Sequence, residues 1–346
     1  MVQKKSKSFI IFSIIFYIAA IALMITGSIY DLQIDMKLFN PQSKFSISFE
    51  ALGQFVYWGM WGPAATVLFL TRHSLNECLE VIGKIVPAIK PVSNTQSKAY
   101  KFFDFVVKAL SAIGFFALAV IGWKKLIENV LKVFVDWSQP VYFVVCAVFA
   151  VAVILLFSKI DKKVLYKLEA LALAGILLGI CYKIVENCKE ITNRIRFREM
   201  VAASNGFFDD KGLSYGKLDG LETRLQSSMK DNTDFSAFTA WFKKGDDMGI
   251  YSRANSFPSG HTTYSCTLFL SVLLCNAFEK LKKFAPLALI VSFVYVALMG
   301  YSRMIAGAHY LTDVAGGAII GYTLFIIVWS IYSKFTSKGI LPTREL

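Results

Sequence analysis

Eight apolar runs, each about twenty residues long, set the terms on which this chain can fold, because that is the length of helix that crosses roughly 30 Å of hydrocarbon. They extend from about Ser8 to Ile29, Leu52 to Leu70, Phe103 to Trp123, Val141 to Phe157, Leu165 to Ile184, Ser259 to Phe278, Phe284 to Tyr301 and Val314 to Tyr332. Apolar residues make up 55% of the chain, above the roughly 45–50% of an ordinary soluble domain. The expected fold is all-α: a polytopic transmembrane helical bundle of about eight spans.

The formal net charge is +13, and the basic residues fall in short clusters between the apolar runs. This is the positive-inside pattern and argues against nucleic acid as a partner. With a cytoplasmic N-terminus, the cytoplasmic segments hold Lys4, Lys5 and Lys7; Arg72 to Lys101; Lys159, Lys162 and Lys163; Lys280, Lys282 and Lys283; and Lys334, Lys338 and Arg344. All five agree on one orientation, with both termini cytoplasmic. The first run lacks a small-residue cleavage site and reads as a retained anchor. The six cysteines lie mostly in apolar runs and show no CxxC or Cys/His metal spacing.

Two connectors have apolar residues at helical spacing: Trp123 to Trp137 on the outer side, and Leu75, Leu79, Ile82 and Val86 on the inner side. Each reads equally as an interfacial helix or as an ordinary connector. The chain divides into residues 1–100, two spans and a basic linker, and residues 101–346, a six-span unit. An outer polar loop at about 197–257 contains an aromatic cluster of Phe235, Phe238, Trp241 and Phe242. Loops of that length are often functional.

Three clusters carry chemistry, and all map to outer ends of spans. Pro258-Ser259-Gly260-His261 reads as a helix opened by proline, with free N–H groups facing an anion and His261 one turn in. Arg303, His309 and Asp313 form the second: a helix starting near His309 puts histidine and acid on one face, where the carboxylate orients the ring. The third holds Lys189 and Arg196, seven residues apart and so on one helical face. Each also has a plain reading, as a helix start, a capped ion pair and a basic flank. Together they supply two histidines, an acid and three cations, an inventory for phosphoryl transfer.

These residues resemble the type 2 phosphatidic acid phosphatase (PAP2) superfamily, whose motifs are Lys-x6-Arg-Pro, Pro-Ser-Gly-His and Ser-Arg-x5-His-x3-Asp. The second stands intact at Pro258–His261 and the third at Ser302–Asp313. The first has Lys189 and Arg196 in place, but Phe197 replaces the proline. A rival first motif at Lys244 to Arg253 has the wrong spacing.

The resemblance implies a six-helix PAP2-like core and a membrane lipid phosphatase that needs no metal or cofactor. It implies that His309 is the nucleophile forming a phosphohistidine, Asp313 its orienting acid, and His261 the proton donor to the leaving group. Lys189, Arg196, Ser259, Gly260 and Arg303 would bind phosphate. The implied substrates are phosphatidic acid, phosphatidylglycerophosphate or undecaprenyl diphosphate. The alternative is a non-catalytic transporter or lipid-binding scaffold on the same fold.

Overall fold

The computed structural model describes residues 7–53, 55–131, 138–207, 225–243 and 255–337. In chain order the helices are α1 (Lys7–Leu38), α2 (Lys44–Leu52), α3 (Phe55–Thr71), α4 (Leu75–Ile85), α5 (Lys98–Leu131), α6 (Gln139–Phe157), α7 (Lys162–Cys181), α8 (Ile184–Thr192) and α9 (Phe197–Ser204). They continue with α10 (Gly260–Ser265), α11 (Leu270–Ala277), α12 (Ala285–Ile305) and α13 (Leu311–Ser337). No strand occurs among the described residues. An all-helical chain meets the demand of hydrocarbon that backbone N–H and C=O groups be satisfied within each segment.

Among the described residues, six helical stretches are long and apolar enough to cross a membrane: Phe9–Leu38, Lys98–Glu128, Gln139–Phe157, Lys162–Thr192, Glu279–Ile305 and Leu311–Thr336. The sequence suggested eight. The second run forms α3, only 17 residues long and with Pro63 inside it. The sixth is not one helix but α10, a 3-10 turn at Cys266–Phe269 and α11. Its hydroxyls explain the break. Thr263 and Ser265 donate back to the carbonyls of Ser259 (3.1 Å) and Thr262 (2.7 Å), which bends and tightens a helix.

The outward faces are apolar. On α1, Ile14, Ile18, Ile25 and Ile29 are exposed, as are Val144, Val148, Leu155 and Leu156 on α6. A belt of this kind suits contact with lipid tails. The inward faces meet in a core that includes Leu178, Tyr182, Phe269, Leu273, Tyr322 and Phe325. Close helix crossings use small residues: a Cβ on Gly122 would lie 2.7 Å from the Gly62 backbone nitrogen, so α3 and α5 touch main chain to main chain.

The N-terminal helix is built into the bundle. α1 runs antiparallel to α13, with Phe9 against Trp329 (4.0 Å between ring centres), Ser13 bonded to Tyr322 (2.7 Å) and Tyr17 to Thr323 (2.9 Å). The inner connector is helical as its spacing suggested: α4 begins with a capping box between Ser74 and Glu77. The outer one is no separate piece up to Leu131, because α5 continues unbroken from the third span; residues 132–137 lie outside the described part. The buried acid of the fifth span, Glu169, bonds His73, the histidine at the end of the bundle opposite the other two.

Candidate active site

The site begins where α8 stops. Asn193 takes the left-handed conformation (φ 43°) and donates its N–H to the Lys189 carbonyl, which ends the helix and turns the chain inward. Lys189 and Arg196 therefore do not share a helical face. Lys189 lies in the last turn of α8, and Arg196 is the N-cap of α9. Phe197 occupies the first position of α9, where proline is favoured. Arg196 already has the extended backbone (φ −82°, ψ 149°) that a following proline would require. In place of the proline ring, the Phe197 ring packs between Phe39 and Phe235, each 5.1 Å away.

The turn sends Arg194 into the interior, where it is fully buried. One Nη donates to Asp31 of α1 (2.9 Å); the other donates to Asp313 (2.6 Å) and to Thr312 (2.7 Å). Its Nε donates to the Thr239 carbonyl (2.8 Å), and the guanidinium lies 4.1 Å from the centre of the Tyr310 ring. Asp31 also accepts the Thr312 N–H (3.0 Å) and the Thr312 hydroxyl, and so caps the start of α13.

His309 lies two residues before α13 rather than on it. Gly307, with φ 62°, makes the turn that leads to it; a side chain there would strike Phe39, at 2.8 Å from an added Cβ. The His309 ring is buried, and Nδ1 lies 2.7 Å from the Ser256 carbonyl. A carbonyl only accepts, so Nδ1 carries the proton and Nε2 keeps its lone pair. The sequence assigned this orienting bond to Asp313, which instead stands 3.8 Å from Nδ1. Asp313 is held in turn by Arg194, the Tyr310 N–H (2.8 Å) and the Ser256 hydroxyl.

Burial is the largest influence on His309 and favours the neutral ring. The hydrogen-bonding reach of Asp313 opposes it, the charges of Arg196 and Arg303 assist it, and the pKa falls to about 3. The ring is therefore uncharged near neutral pH.

The third segment is sewn to the first two. Ser256 N–H donates to the Arg194 carbonyl (2.8 Å), Thr192 Oγ1 to the Phe257 carbonyl (2.9 Å), and Ser259 N–H to the Asp313 carbonyl (2.9 Å). Pro258 does not open the helix: Ser259 is the N-cap, its Oγ accepting from Thr262 N–H (3.4 Å), because a hydroxyl at that place satisfies an otherwise free donor. His261 is then the second residue of α10, in its first turn rather than one turn in. Lys189 Nζ lies beside Gly260, 3.3 Å from where a Cβ would be, and 3.4 Å from Glu186.

Arg303 is almost wholly buried, and its Nη1 donates to Glu50 of α2 (2.7 Å). Arg198, equally buried, approaches the same carboxylate oxygen at 3.9 Å. Arg198 N–H donates to the Gly307 carbonyl (2.9 Å), which ties α9 to the turn before His309. His261 lies within electrostatic reach of Glu50. Arg196 pairs with Glu199 at 3.5 Å. Among the described residues no group of three or more His, Cys, Asp or Glu side chains could hold a metal ion.

The structure thus brings Lys189, Arg196, Ser259, Gly260, His261, Arg303, His309 and Asp313 to one end of the bundle. Sequence reasoning missed Asp31, Glu50, Arg194 and Arg198. Asp31 and Asp35, one turn apart just past the first apolar run, were a signal, since acids at the end of a membrane segment are costly unless used.

Residues 220–337 match the sequence profile of the PAP2 superfamily. A stretch of 81 residues is 32% identical to phosphatidylglycerophosphatase B of Bacillus subtilis (strain 168), covering 23% of this chain and 40% of that protein. No solved structure matches the chain.

Replacing Arg194 by Gln strands two buried carboxylates, a loss of about 3–5 kcal/mol by analogy with other broken buried pairs. The expected outcome is a clearly lower melting temperature in detergent; an unchanged one contradicts the account of this cluster.

Proposed function

We propose, from the match of residues 220–337 to the PAP2 superfamily, that this chain is a membrane lipid phosphatase acting through His309. The observation that carries this is the state of His309: uncharged, with Nδ1–H held by the Ser256 carbonyl and Nε2 left as the nucleophile.

Nε2 attacks phosphorus, the bond from phosphorus to the leaving oxygen breaks, and His261, protonated with the bound phosphate anion as its counter-charge, gives that oxygen a proton. The phosphohistidine carries positive charge on the ring, and Asp313, held near by Arg194, compensates it. Water, deprotonated by His261, then attacks phosphorus, the bond from phosphorus to Nε2 breaks, and inorganic phosphate leaves with neutral His309 and protonated His261 restored. Lys189, Arg196, Arg303, Ser259 and the N–H groups opening α10 neutralise the phosphoryl oxygens, each such donor contributing on the order of 3 kcal/mol at the transition state. No step requires a metal.

The substrate class is a phosphomonoester or diphosphate of a lipid, its tail lying among the apolar faces. The relative's name makes phosphatidylglycerophosphate the first lipid to assay, beside phosphatidic acid and undecaprenyl diphosphate. The charge pattern supports cytoplasmic termini and a site on the outer face of the cell membrane.

Protein purified in detergent with EDTA should release phosphate from at least one of these lipids at an undiminished rate. Loss of activity on chelation contradicts the metal-free mechanism. For orientation, a single cysteine at Asp234, an exposed position, should react with an impermeant thiol reagent in whole cells. Reaction only after lysis would put the site on the cytoplasmic face.

A further inference from the structure

Glu50 lies outside the matched region, yet its carboxylate pairs with Arg303, which the proposed mechanism assigns to phosphate, and lies within electrostatic reach of His261. Its placement is built in. The helix that carries it is docked on the end of α12 beside Arg303: Asn40 N–H donates to the Ile305 carbonyl (2.9 Å), Ser46 Oγ to the Ser302 carbonyl (2.9 Å), and Tyr295 hydroxyl to the Gly53 carbonyl (3.1 Å). Glu50 Oε2 is 2.7 Å from Arg303 Nη1 and 3.9 Å from Arg198 Nη1.

Two buried guanidiniums this close to one another need an anion between them. Burial alone would raise the Glu50 carboxyl, but Arg303, then Arg198 and His261, outweigh it and hold its pKa well below the usual range, so Glu50 supplies a full negative charge. A phosphate group could supply the same or more. Arg303 also has a spare donor: its Nε is buried and has no hydrogen-bond partner among the described residues. A carboxylate has two oxygens and a phosphoryl group three, so phosphate can use donors that Glu50 leaves idle. The Glu50 side chain is 29% exposed. Displacement requires only that this side chain rotate toward solvent.

We propose that Arg198 and Arg303 form an anion subsite beside His309, that Glu50 fills this subsite from within the chain when no substrate is present, and that a phosphate group of the substrate displaces it. This rests on the phosphatase reading. It adds Arg198 to the phosphate-binding set and makes Glu50 an internal competitor, lowering apparent phosphate affinity by the fraction of molecules in which the subsite is open.

The probe is inorganic phosphate, its apparent Kd read from phosphate-dependent melting of the full-length protein in detergent, with turnover followed in parallel. An open fraction near a tenth in the wild type predicts that Glu50→Gln binds phosphate about tenfold more tightly. Glu50→Ala should shift in the same direction, and Glu50→Asp, which withdraws the charge by one methylene, by a smaller factor. Arg198→Gln should weaken binding, and adding Glu50→Gln to it should recover less than in the wild type, since the two side chains act on one subsite.

Unchanged or weaker binding in the Glu50 variants overturns the proposal, because it would make Glu50 a fixed support for Arg303. Wild-type protein that binds phosphate but turns over none of the lipids contradicts the phosphatase reading instead, and the binding comparison still decides the role of Glu50.

Discussion

The arrangement at the polar end of this bundle hangs on one buried guanidinium. Arg194 binds Asp31 from α1, Thr312 and Asp313 from the start of α13, and a carbonyl of the polar loop. Moving these charges out of water costs several kcal/mol each, and only their close pairing repays it. The cluster therefore forms only when α1, the corner between α8 and α9, and α13 arrive together. Its consequence is positional. Fixing Asp313 fixes the Ser256 hydroxyl and the first turn of α13, and the Ser256 carbonyl then sets the His309 ring.

The site also follows from where helices end. Within a span, backbone donors and acceptors are consumed; at its ends they are free. Ser259 and Gly260 begin one helix, Tyr310 and Leu311 begin another, and Asn193 closes a third. Backbone bonds among Arg194, Ser256, Ser259 and Asp313 tie these ends into one unit. Cations are gathered there at a density that an empty site could not hold unbalanced. Asp31, Glu186, Glu199 and Glu50 are the chain's own counter-charges.

Much of this was legible in the residue order. Runs of apolar residues disclose helices, because length and composition alone decide whether a segment suits hydrocarbon. The two intact motifs pointed to His261, Arg303, His309 and Asp313, which the structure brings to one end of the bundle, because each motif is local in sequence. What escaped was of two kinds. Local conformation escaped where polar side chains redirect a backbone, as at Asn193, which separates Lys189 from Arg196, and at the threonines and serines that break the sixth span. Partners distant in sequence escaped as well: Asp31 meets Thr312 across 281 positions and Glu50 meets Arg303 across 253. No spacing rule reaches that far. The hydrogen bond expected from Asp313 to His309 went to the Ser256 carbonyl because His309 lies outside the helix that carries Asp313.

The central claim is that His309 Nε2 takes the phosphoryl group. The most direct measurement is to quench the protein during turnover of a lipid labelled with radioactive phosphate and locate the label by peptide mapping. The account predicts label on His309, stable to alkali and lost in acid, and none in His309→Ala. Label on another residue, or undiminished turnover by His309→Ala, would contradict it.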